Sequence, residues 1–274
     1  MKKFMTLAAI FAAATMSFSA CSTDDTTPEN NKQPETEQPG TEEPGTEEPG
    51  TPSGPVELAI NIDGDFSDWD AIPAENLAVA TCAEDAQYTA LKVMKVCADA
   101  DYINVYFEYD VDQVVDLSWT PIHIYVDADN SPETGGGDAM YTDADAEVMF
   151  EGVFAADGDL ISWDPAKFHW WEAAGTTGWE WTEGDFLNQE GYHSAADNWG
   201  ADIPEGSGIA EGAGVAAEGK YELQICKEMV AGVKWAETVG IGMDIQQNWR
   251  TVGQLPNASG EGVAAPKLRV TIAK

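Results

Sequence analysis

The sequence predicts an all-β fold: an antiparallel β-sandwich in one domain, carried behind a disordered tether. Three observations point there. From Val56 onward the chain breaks into short stretches of alternating apolar and polar residues. Gly-rich connections separate them, and no long helical period appears anywhere. Hydrophobic residues make up 43% and aromatic residues 10%, enough for a core despite 49 acidic against 13 basic side chains. The resulting charge of -36 argues against nucleic acid or an anionic surface as partner, since both are bound through Lys and Arg. A neutral glycan or a metal ion fits that balance.

The chain starts with an address. Lys2 and Lys3 precede a short apolar run, Leu7 to Met16, too short for a comfortable membrane span. Residues 1–20 therefore read as a signal peptide. Ser17-Phe18-Ser19-Ala20-Cys21 resembles a bacterial lipobox, in which Cys21 becomes the lipid-bearing first residue. Ser22-Thr23-Asp24-Asp25 resembles the acidic signal that sends Bacteroidetes lipoproteins to the outer face of the outer membrane. The resemblance implies a membrane contact through the lipid anchor only, with the load facing the cell exterior.

Residues 21–55 form the lipidated N-terminus and linker. Pro39-Gly40-Thr41-Glu42-Glu43 repeats from Pro44 and begins again at Pro49. Nothing in this stretch can build a core. At random-coil dimensions a tether of about 34 residues would hold its load roughly 30 Å from the membrane.

Residues 56–274 supply the strands. Glu57 to Ile62, Ala90 to Cys97, Tyr102 to Tyr109, Ile122 to Val126 and Glu147 to Phe154 come first. Lys220 to Cys226, Val239 to Gln247 and Lys267 to Ile272 follow. A short helix or turn fits near Lys227 to Val233. Between Ile122 and Gly152 the strands enclose a loop with Asp127, Asp129, Asn130, Glu133, Asp138, Asp143 and Asp145, and with glycines at 135 to 137. Such a loop repels itself unless water or a cation sits among its carboxylates. Hard oxygen ligands in that number suit Ca2+. The spacing is not an EF-hand, because the sixth residue counted from Asp127 is Pro132 where Gly is required. The candidate metal ligands are Asp127, Asp129, Asn130, Asp138, Asp143 and Asp145; a solvated acidic hairpin loop is the plain alternative.

Several segments together resemble family 9 carbohydrate-binding modules and their relatives. Ile60-Asn61-Ile62-Asp63-Gly64-Asp65-Phe66-Ser67-Asp68-Trp69 is similar to the family's opening strand, Asp-Gly turn and Trp. The run from Ala100 to Glu108 is similar to a later strand. The run from Tyr125 to Gly135 is similar to the family's strand and Asp-rich loop. Lys220 to Cys226, Trp235 and Val239 to Ile245 resemble the closing pattern. The resemblance implies a β-sandwich, a role in sugar binding and bound calcium. Nothing between 163 and 215 matches.

That unmatched stretch holds six of the ten tryptophans: Trp163, Trp170, Trp171, Trp179, Trp181 and Trp199. It reads as loops and short strands. An exposed indole offers the flat C–H face of a pyranose an apolar platform, so these six are the candidate ligand-binding residues. Any single Trp is more often core than platform, and Trp69 and Trp235, in framework positions, are expected in the core. Polysaccharide or oligosaccharide is the expected partner, with surface proteins as further neighbours. A structural or protein-interaction sandwich with its indoles buried is the alternative left open.

No carboxylate pair is marked out for glycoside hydrolysis, which requires two at a defined separation; the expectation is a protein without enzymatic activity. His123, His169 and His193 form neither HxH nor HExxH, so zinc has no support. Cys82 and Cys97 flank a plausible hairpin and could pair, or Cys82, Cys97 and Cys226 could all be small buried residues.

Overall fold

The computed structural model describes residues 58–117, 120–136, 138–157, 160–171, 192–194, 210–230 and 233–274, and gives side chains for these outside 155–211 and position 229. The fold is all-β, a single antiparallel sandwich, as the sequence predicts. Its strands are β1 (Ala78–Thr81), β2 (Leu91–Ala98), β3 (Tyr102–Tyr109), β4 (Ile122–Asp127), β5 (Val148–Asp157) and β6 (Leu160–Trp171). They continue with β7 (Tyr192–Ser194), β8 (Ala210–Val215), β9 (Lys220–Cys226), β10 (Thr238–Gln247), β11 (Arg250–Leu255) and β12 (Leu268–Thr271).

Every strand pairing is antiparallel, in the order β1-β2-β3-β9-β8-β6-β5-β4-β10-β11, with β12 also on β10 and β7 on β6. The β6–β8 pairing, Leu160 opposite Val215, carries the path from one layer to the other. The layers meet again at the opposite rim. There the Ala90 N–H donates to the Val252 carbonyl (2.9 Å), and the Ala273 N–H to that of Ala98 (2.8 Å). Closing both rims leaves few unpaired strand edges.

Alternation decides which face each strand buries. On β4, Ile122, Ile124 and Val126 enter the main core with Val148 and Phe150 of β5 and Ile241, Met243 and Ile245 of β10. Val105 and Phe107 of β3 and Leu223 of β9 oppose them. The Phe154 ring lies 5.0 Å from Tyr221 and 6.3 Å from Phe107, so β5 packs across the sandwich onto β9 and β3. Each such ring, fully buried, contributes about 1.5–3 kcal/mol.

The other face of β4 carries His123, Tyr125 and Asp127, all buried too. The acidic loop folds over this face: Tyr125, Tyr141, Ala146 and Met149 form a small second cluster. The Tyr141 hydroxyl lies 3.0 Å from the carbonyl oxygens of both Met243 and Leu255. Gly242 on β10 makes room, because a Cβ there would overlap the Tyr141 ring.

The stretch from Leu58 to Ile62 is not a strand, although it alternates. Leu58 and Ile60 are buried in a third cluster with Trp69, Cys97 and Tyr106 on the outside of β2 and β3. Its Leu58 N–H bonds to the Asp99 carboxylate (3.1 Å) rather than to a strand ladder. Near Lys227 the short element is one 3-10 turn, Lys227–Met229. The three described cysteines are free. Cys82 N–H bonds to the Lys92 carbonyl, five residues from Cys97, roughly 17 Å along a strand and beyond disulfide reach. Burial pushes the Cys97 thiol up to about 12.

Candidate cation site and neutral cleft

The acidic loop is held first by the chain's own cations. Lys267, entirely buried, places its ammonium 2.5 Å from Asp138 Oδ2 and 2.6 Å from Asp145 Oδ1, and donates to the Asp143 carbonyl. Arg269 on β12 bonds Asp127 Oδ2 and reaches Asp143 Oδ2 at 2.7 Å. Burial raises the Asp138 carboxyl to about 6 even against the pull of Lys267. Gly135, with φ of 76°, lets the loop backbone cross that of Asp145 and Ala146, where a Cβ would overlap both carbonyls. The Gly136 N–H then donates to the Ala146 carbonyl at 2.9 Å.

The six expected metal ligands therefore divide. Asp138, Asp143 and Asp145 surround Lys267, with Arg269 at the rim. Asp127 and Asp129 instead converge with Glu147, one carboxylate oxygen of each lying within 4.8 Å of the others. Asn130, with φ of 55°, turns the loop here and gives its N–H to Asp127 Oδ1 (2.7 Å).

Glu147 is 1% exposed. Its Oε2 accepts the Ala128 N–H at 2.8 Å, and its Oε1 has no hydrogen-bond partner among the described residues. The neighbouring Thr134 hydroxyl lies 3.0 and 3.1 Å from the two Asp129 oxygens and 3.4 Å from the Ser131 carbonyl. Burial, with Asp129 and Asp127 adding repulsion, pushes the Glu147 carboxyl up to about 8 despite the Ala128 N–H. Three carboxylates, one with an orphaned buried oxygen, make an all-oxygen donor set that fits a hard cation such as Ca2+. Glu147 immediately precedes β5, just where β4 ends at Asp127; pairing the two predicted strands as a hairpin would have drawn it into the site.

A second polar group lies further along the same face of β4. His123 is flanked by Asp244 Oδ1 (3.0 Å, Nδ1) and Glu151 Oε2 (3.1 Å, Nε2). All three are buried, and they stand opposite one another on β10, β4 and β5. Burial opposes the imidazolium, but the two carboxylates prevail and raise His123 to about 10. The ring is thus a buried cation braced from both sides. Glu151 and Asp244 stand at polar positions of strands already visible in the sequence, but the register that brings them to His123 is not.

The loop also walls a cleft. Ala139 and Met140, next to Asp138, face Gln87, Tyr88, Gln254 and Asn257 across a space of about 240 Å³. Among the described residues, no Asp, Glu, Lys or Arg lines it. Its amides are set in place. Asn257 Nδ2 donates to the Gln254 carbonyl (2.9 Å), its Oδ1 accepts the Ala83 N–H (2.9 Å), and Gln87 Nε2 donates to the Tyr88 hydroxyl (3.0 Å).

Of the candidate stacking residues, Trp163, Trp170 and Trp171 fall on β6. Their backbones stand opposite Phe154, Val148 and Tyr192. Trp179, Trp181 and Trp199 lie outside the described residues, as does Cys21. Trp69 is 2% exposed, as expected of a framework residue. Trp235 is half-buried, with the Lys227 ammonium 5.8 Å from its ring centre. No family model, curated protein or solved structure matches this chain.

Proposed function

We propose that this protein is a lipid-anchored cell-surface lipoprotein of the outer membrane, joined through Cys21, whose sandwich binds a neutral glycan without hydrolysing it. One structural observation carries the reading. In a chain of charge -36, the cleft between Met140 and Asn257 is lined by amides, a tyrosine and apolar groups and, among the described residues, by no charged side chain. Amides match sugar hydroxyls, and an aromatic or thioether surface matches the C–H face. The resemblance to family 9 carbohydrate-binding modules supports the same ligand class. The tether of residues 21–55 supports display away from the membrane.

A structural Ca2+ belongs to the proposal. Asp127, Asp129 and Glu147 would hold it, tying the loop that bears Ala139 and Met140 to the end of β4. The ion has no chemical step to perform; the chain's residues position the cleft wall.

Affinity electrophoresis of the soluble chain, from Ser22 onward, through gels containing xylan, mixed-linkage glucan or galactomannan tests the glycan reading. Retardation by one of them, lost in Asn257→Ala, is expected. Migration unchanged in all three gels, with a cooperative melting transition showing folded protein, would overturn it. The ion is tested separately by melting with EDTA and with added Ca2+. At a free concentration about 100 times Kd, stabilisation of about 2.7 kcal/mol is expected, and it should vanish in Asp129→Asn with Glu147→Gln.

A further inference from the structure

At the far end of β11 from the cleft is an exposed indole in a conformation that a tryptophan seldom adopts. Gln247, the last residue of β10, pairs with Arg250, the first of β11, leaving Asn248 and Trp249 as a two-residue turn. Both have positive φ, 50° and 64°. This is the turn that matches strand twist, and its second position favours Gly, because a Cβ crowds the backbone there. Trp249 occupies that position with 71% of its surface exposed. The side chain thus carries a steric cost that Gly would avoid and gains little burial in return. Strained residues of this kind concentrate at ligand contacts.

The turn is also anchored. Buried Gln247 accepts the N–H groups of Val115 (3.2 Å) and Asp116 (3.4 Å) and donates to the Asp116 carbonyl (3.1 Å) and the Thr120 hydroxyl. Exposed Val115 therefore belongs to the same surface as the indole. Arg250, next in the chain and exposed, makes no ion pair among the described residues, so its guanidinium donors are open to hydroxyl groups. A flat apolar ring on a braced turn beside a hydrogen-bond donor is preorganised for a ligand with one apolar and one hydroxylated face.

We propose that Trp249 is a second contact for the glycan, a platform on which a neutral pyranose stacks while Arg250 donates to its hydroxyls. This rests on the glycan reading of the cleft. Gln254 of the cleft lies on β11, five residues beyond Trp249 in the turn that opens that strand, roughly 16 Å away. A ligand reaching both is an extended polysaccharide along β11, longer than a disaccharide.

The test compares Trp249→Gly and Trp249→Phe with the parent soluble chain. Binding is measured by titration calorimetry with xylan, mixed-linkage glucan and galactomannan, and with the disaccharide of each. Trp249→Gly should keep or raise the melting temperature, because it relieves the turn. It should weaken polysaccharide binding about tenfold or more and leave disaccharide binding unchanged. Trp249→Phe should recover part of the loss. Parental polysaccharide affinity in Trp249→Gly would overturn this inference and leave the cleft intact. So would a loss of self-association on gel filtration, which would make the indole a contact between copies. Absence of binding by the parent chain to every polysaccharide would overturn both readings together.

Discussion

Glu222 accepts the indole N–H of Trp69 at 3.0 Å across 153 positions of sequence. Its other oxygen accepts the N–H groups of Asp63 (3.0 Å) and Gly64 (2.8 Å). One fully buried carboxylate on β9 thus ties down the Asp-Gly turn and the tryptophan of the opening segment. Burial raises the Glu222 carboxyl, and these three donors pull it back toward the charged form. Trp69→Phe leaves a buried carboxylate oxygen without its donor. It should cost about 1.5–3 kcal/mol in urea unfolding, with the fluorescence and far-UV transitions still coincident. A cost below about 0.5 kcal/mol would show that the bond does not hold the segment.

Lys267 sits among Asp138, Asp143 and Asp145 with no exposure to solvent. Lys267→Met strands buried carboxylates and should cost about 3–5 kcal/mol. Adding Asp138→Asn removes one of the stranded charges and should return part of the loss, which a double-mutant cycle measures as coupling. Strictly additive effects would dissolve the cluster as a unit.

His123 supplies the pH dependence. Its pKa rises from about 6.5 in the unfolded chain to about 10 between Asp244 and Glu151. A raised folded pKa means stability that is full below pH 6.5 and lost as pH climbs through 10. Parent and His123→Gln chains, melted side by side, should differ most at about pH 6 to 6.5. The difference should shrink toward pH 10; a constant difference from pH 6 to 10 would contradict a charged ring.

Gly135→Ala should be among the more damaging single-methyl changes in the domain. Positive φ and the Asp145 and Ala146 carbonyls both oppose a Cβ. Displacing the loop shifts Ala139 and Met140 as well. A lower melting temperature and a loss of the Ca2+-dependent increment are expected together, whereas Gly262→Ala, with open space around it, should lack the second effect.

The sandwich was legible because alternation reports burial directly. Tyr102–Tyr109 and Lys220–Cys226 appear with the bounds the sequence predicts. β11 has no counterpart among the predicted strands because Arg250 to Leu255 shows no clean alternation; what makes it a strand is pairing with β10. β6 was hidden in a stretch rich in Trp and Gly with no clean period. Leu58 to Ile62 erred the other way, since alternation there buries a segment against a cluster without any ladder. In the acidic loop, counting carboxylates located the charge but not its partners. Lys267 and Arg269 lie on a distant part of the chain, and only the β10–β12 pairing carries them to the loop. Glu147 lies two residues beyond Asp145, the last of the predicted ligands, at the start of the predicted strand rather than in the loop.

The distance between the loop and its cations has a temporal side. Lys267 lies 129 residues after Asp138, and Arg269 lies 142 after Asp127. A chain made from its N-terminus carries those aspartates for about half of its 274-residue synthesis with their own cations still unmade. The ion pairs of that face cannot form before Lys267 and Arg269 are made, and until then its carboxylates have only repulsion between them. The last strand of the chain, with the lysine that precedes it, is thus what discharges the loop, so the end of the chain and the cleft wall are built together.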